Sequence, residues 1–195
     1  VGTTGLIMPF SYYEGTTLTG YDVELSKRFA EWLGAKLEFK LYNFEGLIAA
    51  AGTGEIDCVM SNLNITPERA EKIDFSDVIF TEEVALMVKD DAPVSENKVQ
   101  ALPSATWAGT PEKYTKLADL KGKTIGDLTA ALESRKIDAF IENSVALDLL
   151  MSRNKNIAVL DEPVDENHNV CAGFAKNEKG EKLKAQFDEY ITAMK

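Results

Sequence analysis

The residues best placed to do chemistry lie in the run Ser61-Asn62-Leu63-Asn64-Ile65-Thr66-Pro67-Glu68-Arg69, where the apolar segment Ile56-Asp57-Cys58-Val59-Met60 gives way to polar side chains. A guanidinium grips a carboxylate with two parallel charge-assisted hydrogen bonds, each worth roughly 1.5–3 kcal/mol. Ser61, Asn62 and Asn64 add neutral donors and acceptors beside it. Taken singly, an arginine in a first helical turn is an ordinary surface residue, and Asn or Ser after a strand are turn formers. Clustered at one strand end, they could together hold an anion such as a carboxylate. A second polar pair, Glu142-Asn143, closes the similar segment Ile137-Asp138-Ala139-Phe140-Ile141, so that GEIDCVMSN and SRKIDAFIEN form a weak internal echo.

Other chemistries find little support. The single histidine, His168, falls in a stretch that reads as a polar loop, and Cys58 and Cys171 sit in separate apolar segments with no C-x-x-C spacing. No Ser-His-Asp, Cys-His or metal-ligating set emerges, so neither catalysis, a metal nor a cofactor is expected. For the two cysteines, buried free thiols and a disulfide both remain open.

The elements that must position these residues alternate. Val1–Thr4 reads as a strand. Leu25, Phe29, Trp32 and Leu33 fall on one face of a helix over Asp22–Leu33 that Gly34 ends. Lys36–Tyr42 alternates as a half-exposed strand, FEGLIAAA from Phe44 as a short helix, and Ile56–Met60 as a buried strand. Thr66 and Pro67 supply a cap and first-turn pair for the next helix, whose positive N-terminal end is expected to assist anion binding. Glu83–Lys89 is a further strand. Beyond it, residues 90–120 hold three prolines (Pro93, Pro103, Pro111) and few apolar runs, and read as a link between lobes. Order resumes with a strand at Lys123–Gly126, a helix capped by Asp127, a strand at Ile137–Glu142 and a helix capped by Ser144. Strands at Ile157–Pro163 and Asn169–Lys176 follow, and then a final helix with Leu183, Phe187, Tyr190, Ile191 and Met194 on one stripe. The α/β alternation implies mostly parallel sheets flanked by helices, with ligands at the carboxyl ends of strands. Thr4, Phe44, Ser61, Asn62 and Asn64 fall at such ends.

The 195 residues suffice for one large domain or two small lobes. A formal net charge of −11 argues against nucleic acid, which needs clustered Lys and Arg. No run of about 18 apolar residues spans a membrane, and the opening VGTTGLIMPF reads as a strand and turn with no signal peptide.

Two stretches, VGTTGLIMPFSYYEGTTLTGYDVELSKRFAEWLGAKLEF and FEGLIAAAGTGEIDCVMSNLNITPERAEKIDFSDVIF, resemble the first lobe of the bacterial solute-binding proteins of polar amino-acid ABC importers, the extracellular solute-binding proteins of family 3. LADLKGKTIG, DLTAALESRKIDAFIENSVA and GFAKNEKGEKLKAQFDEYI extend the resemblance over most of the chain. It implies a two-lobed type II periplasmic-binding-protein fold, with lobe 1 at 1–88, lobe 2 at 89–174 and a return segment with C-terminal helix at 175–195. It further implies capture of an amino acid or amino-acid-like carboxylate between the lobes for delivery to a membrane permease, by a monomer that is periplasmic or lipoprotein-anchored at a bacterial cell surface. A ligand-sensing receptor domain or a degenerate binding fold is the alternative reading. The resemblance places the carboxylate-binding arginine at Arg69, hydrogen-bonding residues at Ser61, Asn62 and Asn64, and a stacking aromatic at Phe44. Phe10 and Thr4, after the first strand, complete the first-lobe candidates.

Departures concentrate in the second lobe. Lys123–Gly126 runs straight into Asp127-Leu128-Thr129, without a helix–strand excursion of roughly thirty residues that the family carries, so this lobe is expected to be reduced. The acid that the family sets against the ligand's ammonium falls at Asn143, next to Glu142. Residues one apart on a strand face opposite sides, which leaves Glu142 as an indirect replacement.

Overall fold

The computed structural model describes residues 1–89, 125–134, 139–159 and 165–194. In chain order the elements are β1 (Gly2–Thr3), β2 (Tyr12–Glu14), β3 (Thr17–Thr19), α1 (Tyr21–Leu33), β4 (Lys40–Leu41), α2 (Phe44–Gly52), β5 (Cys58–Asn64), α3 (Pro67–Ala70) and β6 (Ile73–Phe75). After them come β7 (Phe80–Lys89), α4 (Ile125–Glu133), β8 (Ala139–Asn143), α5 (Ser144–Arg153), β9 (Ile157–Val159), β10 (Asp165–Ala175) and α6 (Glu178–Met194).

The chain forms two compact units, one of Val1–Thr81 with His168–Lys195 and one of Glu82–Asn167. The lobes expected at 1–88 and 89–174 have different limits, because the crossings fall early within β7 and β10 and not where composition changes. The expected link at 90–120 lies outside the described residues.

In the first unit β1 pairs in parallel with β4 and with β5. β10 runs antiparallel to both β5 and β6. Side chains of β5 alternate between two cores. Cys58 and Met60 join Leu25 and Phe29 of α1 and Phe187, Tyr190 and Ile191 of α6. Val59 and Leu63 join Leu47, Ile48 and Ala51 of α2, with Ile73. Truncating a fully buried phenylalanine such as Phe187 to alanine costs about 3–5 kcal/mol. Trp32 is 45% exposed, yet its ring stacks 6.1 Å from Phe29.

Register settles the cysteines. Cys58 pairs with Phe174, while Cys171 pairs with Leu63. The two are therefore offset by roughly 16 Å along the ladder, well beyond the ~7 Å Cα limit of a disulfide. Both are buried free thiols, and burial pushes the Cys58 thiol up to about 12 and the Cys171 thiol up to about 11.

Several local expectations change. The strand expected over Lys36–Tyr42 reduces to Lys40–Leu41, where the Lys40 N–H donates to the Val1 carbonyl and the Tyr42 N–H to the Thr3 carbonyl. In the second unit a helix covers Ile125–Glu133, so Asp127 lies inside it and is not its cap; of the expected Lys123–Gly126 strand the last two residues are helical and the first two lie outside the described residues. His168 belongs to β10 and not to a loop. Described pairings of the second unit are antiparallel, β7 with β8 and with β9. Its core gathers Met87, Leu132, Phe140, Leu147 and Ile157.

Candidate functional site

The carboxyl ends of β1 and β5 carry the first-unit candidates. Thr4, which follows β1, donates its N–H to Ser61 Oγ at 3.1 Å, and the Ser61 hydroxyl donates back to Thr4 Oγ1 at 3.2 Å. Thr4 Oγ1 also accepts the Leu6 N–H at 3.3 Å. Both hydroxyls are thus buried and engaged with each other. They lock β1 to β5 at the strand ends.

Asn62 adopts φ 46°, the left-handed region that side chains rarely occupy. Its N–H donates to Asp22 Oδ2 at 2.7 Å. Two residues on, the Asn64 carbonyl accepts the Arg69 Nη1–H at 2.7 Å. Thr66 caps α3 by accepting the Arg69 N–H at 3.3 Å, as its sequence position implies. The helix is a single turn, Pro67–Ala70, so little of the expected dipole is available.

Arg69 is half-buried, and its Cζ lies 4.6 Å from the centroid of the Phe44 ring. Phe44 is held there as the first residue of α2, whose cap Asn43 accepts the Gly46 N–H at 2.8 Å. A cation over an aromatic face contributes about 0.5–1 kcal/mol where solvent reaches it. Burial pushes the Arg69 pKa below its ordinary value, with the adjacent Glu68 opposing. Glu68 is itself held below the usual carboxylate range, first by a backbone N–H and then by the Thr66 hydroxyl. Among the described residues Arg69 has no ion-pair partner. With Nη1 committed to a carbonyl, its remaining N–H donors suit an incoming carboxylate.

Phe10 is placed otherwise. It is 2% exposed, stacked 5.7 Å from Phe80 and edge-on to Tyr21 at 6.5 Å, and belongs to the packing behind the strand ends. Phe10, expected among the first-lobe ligand contacts, is thus a core residue in this structure. Asp22 is the residue that sequence reasoning missed. The only signal was its place at the start of the periodic helix after Gly20-Tyr21.

In the second unit Asn143, and not Ser144, caps α5, accepting the Ala146 N–H at 2.9 Å. Glu142 Oε1 accepts the Asn143 N–H at 3.0 Å and its Nδ2–H at 2.9 Å. The carboxylate therefore curls round to its neighbour, despite the opposite-face rule for adjacent strand residues. Burial raises the Glu142 pKa, and the two Asn143 bonds only partly offset this. Among the described residues no group of His, Cys, Asp and Glu is arranged to hold a metal, and no helix is long and apolar enough to cross a membrane.

Comparison with known proteins bears on this geometry. The model of the bacterial extracellular solute-binding proteins, family 3, matches residues 1–195. The arginine-binding extracellular protein ArtP of Bacillus subtilis (strain 168) is 32% identical over 136 residues, which are 70% of this chain and 46% of that protein. The chain thus spans about half the length of that relative. The L-cystine-binding protein TcyA of the same organism is 27% identical over 169 residues, 82% of this chain and 63% of that protein. Among solved structures, the substrate binding protein of an amino acid ABC transporter aligns with a TM-score of 0.76 at 25% identity, covering 99% of this chain and 91% of the other. The arginine-bound Gly52Ala mutant of ArgBP from T. maritima has a TM-score of 0.78 at 22% identity over 100% of this chain and 94% of the other, a likeness of fold alone.

Proposed function

The chain belongs to the family 3 extracellular solute-binding proteins, with the type II periplasmic-binding-protein fold, and from that premise we propose that it binds an amino acid or amino-acid-like carboxylate through Arg69. The family and its solved neighbours are solute-binding proteins, and their names are those of amino-acid binders of ABC transporters. One observation carries the reading. Arg69 is a half-buried cation with no ion-pair partner among the described residues, fixed between the Phe44 ring and the Asn64 carbonyl. Burying a charge without a counter-charge is costly, so such a guanidinium favours an anion from solution. A carboxylate satisfies its charge and its paired donors together.

In this reading Phe44 carries the guanidinium on its ring and offers an apolar wall to the ligand. Asn62 and Asn64 supply neutral hydrogen bonds, while Thr4 and Ser61 contribute mainly by fixing the strand ends. Glu142 and Asn143 remain proposed ligand contacts, with the Glu142 carboxylate suited to an ammonium. The protein acts outside the cytoplasm, in the periplasm or anchored at the cell surface, as a monomer that hands its ligand to the permease of an ABC importer.

The test is a thermal-shift panel of the natural L-amino acids on protein stripped of ligand by unfolding and refolding, followed by calorimetry. A ligand at 100 times its Kd stabilises by about 2.7 kcal/mol, which a melting curve resolves easily. A shift with at least one amino acid is expected. Flat melting curves across the panel would contradict the assignment.

A further inference from the structure

We infer that Asp22 is a positioning residue of the ligand site: by holding the backbone of Asn62 it sets the strand end from which Arg69 is gripped. The inference rests on the amino-acid-binding reading above. Asp22 stands in the first turn of α1 and is 3% exposed. Its Oδ2 reaches the Asn62 N–H at 2.7 Å, a bond between residues 40 apart in sequence. The turn it sits on is fixed independently, since the Tyr21 N–H donates to the Pro9 carbonyl at 3.0 Å and the Asp22 N–H to the Phe10 carbonyl at 2.9 Å.

The target of that carboxylate is the unusual point of the strand. Asn62 is the one residue other than glycine with a positive φ among the described residues. A backbone N–H bonded to a carboxylate is a strong, charge-assisted interaction. It holds Asn62 in a left-handed conformation that interrupts the extended course of the strand around it. Two things depend on that conformation. Leu63, the next residue, is fully buried in the core beneath α2. Asn64, the residue after, turns its carbonyl to Arg69 Nη1 at 2.7 Å. If Asn62 relaxed, the direction of the chain at Leu63 and Asn64 would change, and the carbonyl would leave the guanidinium. Non-glycine residues in rare backbone regions persist only where their surroundings over-determine them, and they cluster at binding sites.

A double-mutant cycle tests this, read by calorimetry on ligand-stripped protein with L-arginine and L-glutamine as probes. Asp22→Ala should weaken binding at least tenfold, and Asp22→Asn, which keeps an acceptor for the Asn62 N–H, should lose less than threefold. Glycine adopts a positive φ without strain. In an Asn62→Gly background the Asp22→Ala loss should therefore fall below threefold, which a general structural role of Asp22 would not produce. Amide exchange at residue 62 supplies a readout that needs no ligand, and should accelerate at least tenfold in Asp22→Ala. Wild-type affinity in Asp22→Ala, or an undiminished loss in the Asn62→Gly background, would overturn the inference and leave the amino-acid reading standing. Unchanged exchange at residue 62 would also overturn it. If the unsubstituted protein binds neither probe nor any other amino acid, the reading itself fails and the inference with it.

Discussion

Two strand-to-helix joints of this chain begin from similar sequence and end in different structures. At the first, β5 carries Ser61 and Asn62 past Asn64 to a one-turn helix capped by Thr66. At the second, β8 ends at Glu142 and Asn143, and Asn143 itself caps a ten-residue helix. The two asparagines occupy equivalent places in the repeated Ile-Asp segments. Asn62 lies at φ 46°, with its N–H held by Asp22 from a distant helix. Asn143 lies at φ −65°, with its N–H held by the carboxylate of the residue before it. The difference shows what decides the outcome. A carboxylate supplied from elsewhere in the unit lets the strand run on through a left-handed residue and present Arg69, whereas a carboxylate supplied locally leaves the asparagine as a cap. One joint is thus built around a cation and the other around an anion.

Mutations at the two joints should separate these roles. The largest effect is expected at Arg69: Arg69→Ala should reduce affinity for an amino acid by about ten- to a hundredfold, the loss of one charge-assisted bond, as measured by calorimetry. Next, Asn143→Ala should destabilise by about 1 kcal/mol in chemical denaturation, because it removes the cap of a full-length helix. Thr66→Ala should cost about half as much in stability, since the helix it caps is a single turn, but should loosen Arg69 and show in affinity. If Thr66→Ala cost more stability than Asn143→Ala, the contrast drawn between the joints would fail. The smallest effect is expected at Glu142. Its folded pKa is raised by burial, so the wild-type carboxyl contributes most below the ordinary carboxylate pKa and loses that contribution as pH rises through the raised value. Glu142→Gln keeps an acceptor for Asn143, so it should be slightly more stable than wild type at pH 7. That advantage should vanish at pH 4 in thermal melts. An advantage that grew on acidification would contradict the assigned cause.

Much of the first joint was legible in the sequence. Thr66-Pro67 announces a helix start, and Arg69 follows it at the spacing that returns its side chain over the strand end. Phe44 opens a short apolar helix and meets the guanidinium. What could not be read was long-range. The Asp22–Asn62 bond joins residues 40 apart, and a left-handed asparagine leaves no mark in hydrophobic periodicity. The antiparallel course of β10 between β5 and β6 likewise depends on pairing across the chain, and β10 extends far enough towards its start to include His168, expected in a loop. At the second joint Asn143 and Ser144 are both good cap formers, and only the hydrogen bond to Ala146 chooses between them. The burial of Phe10 was not legible either, because an aromatic after a strand suits a ligand contact and a core equally. Its ring packs against Phe80 and Tyr21.

The central claim is that Arg69 takes a ligand carboxylate, and the most direct measurement pairs a change in the protein with a change in the ligand. Calorimetry should compare the amino acid that binds best with its carboxamide, on the wild-type protein and on Arg69→Ala. The wild type should prefer the carboxylate by at least tenfold, and Arg69→Ala should bind the two within about twofold of each other. A preference for the carboxylate that survives undiminished in Arg69→Ala would contradict the assignment of that residue.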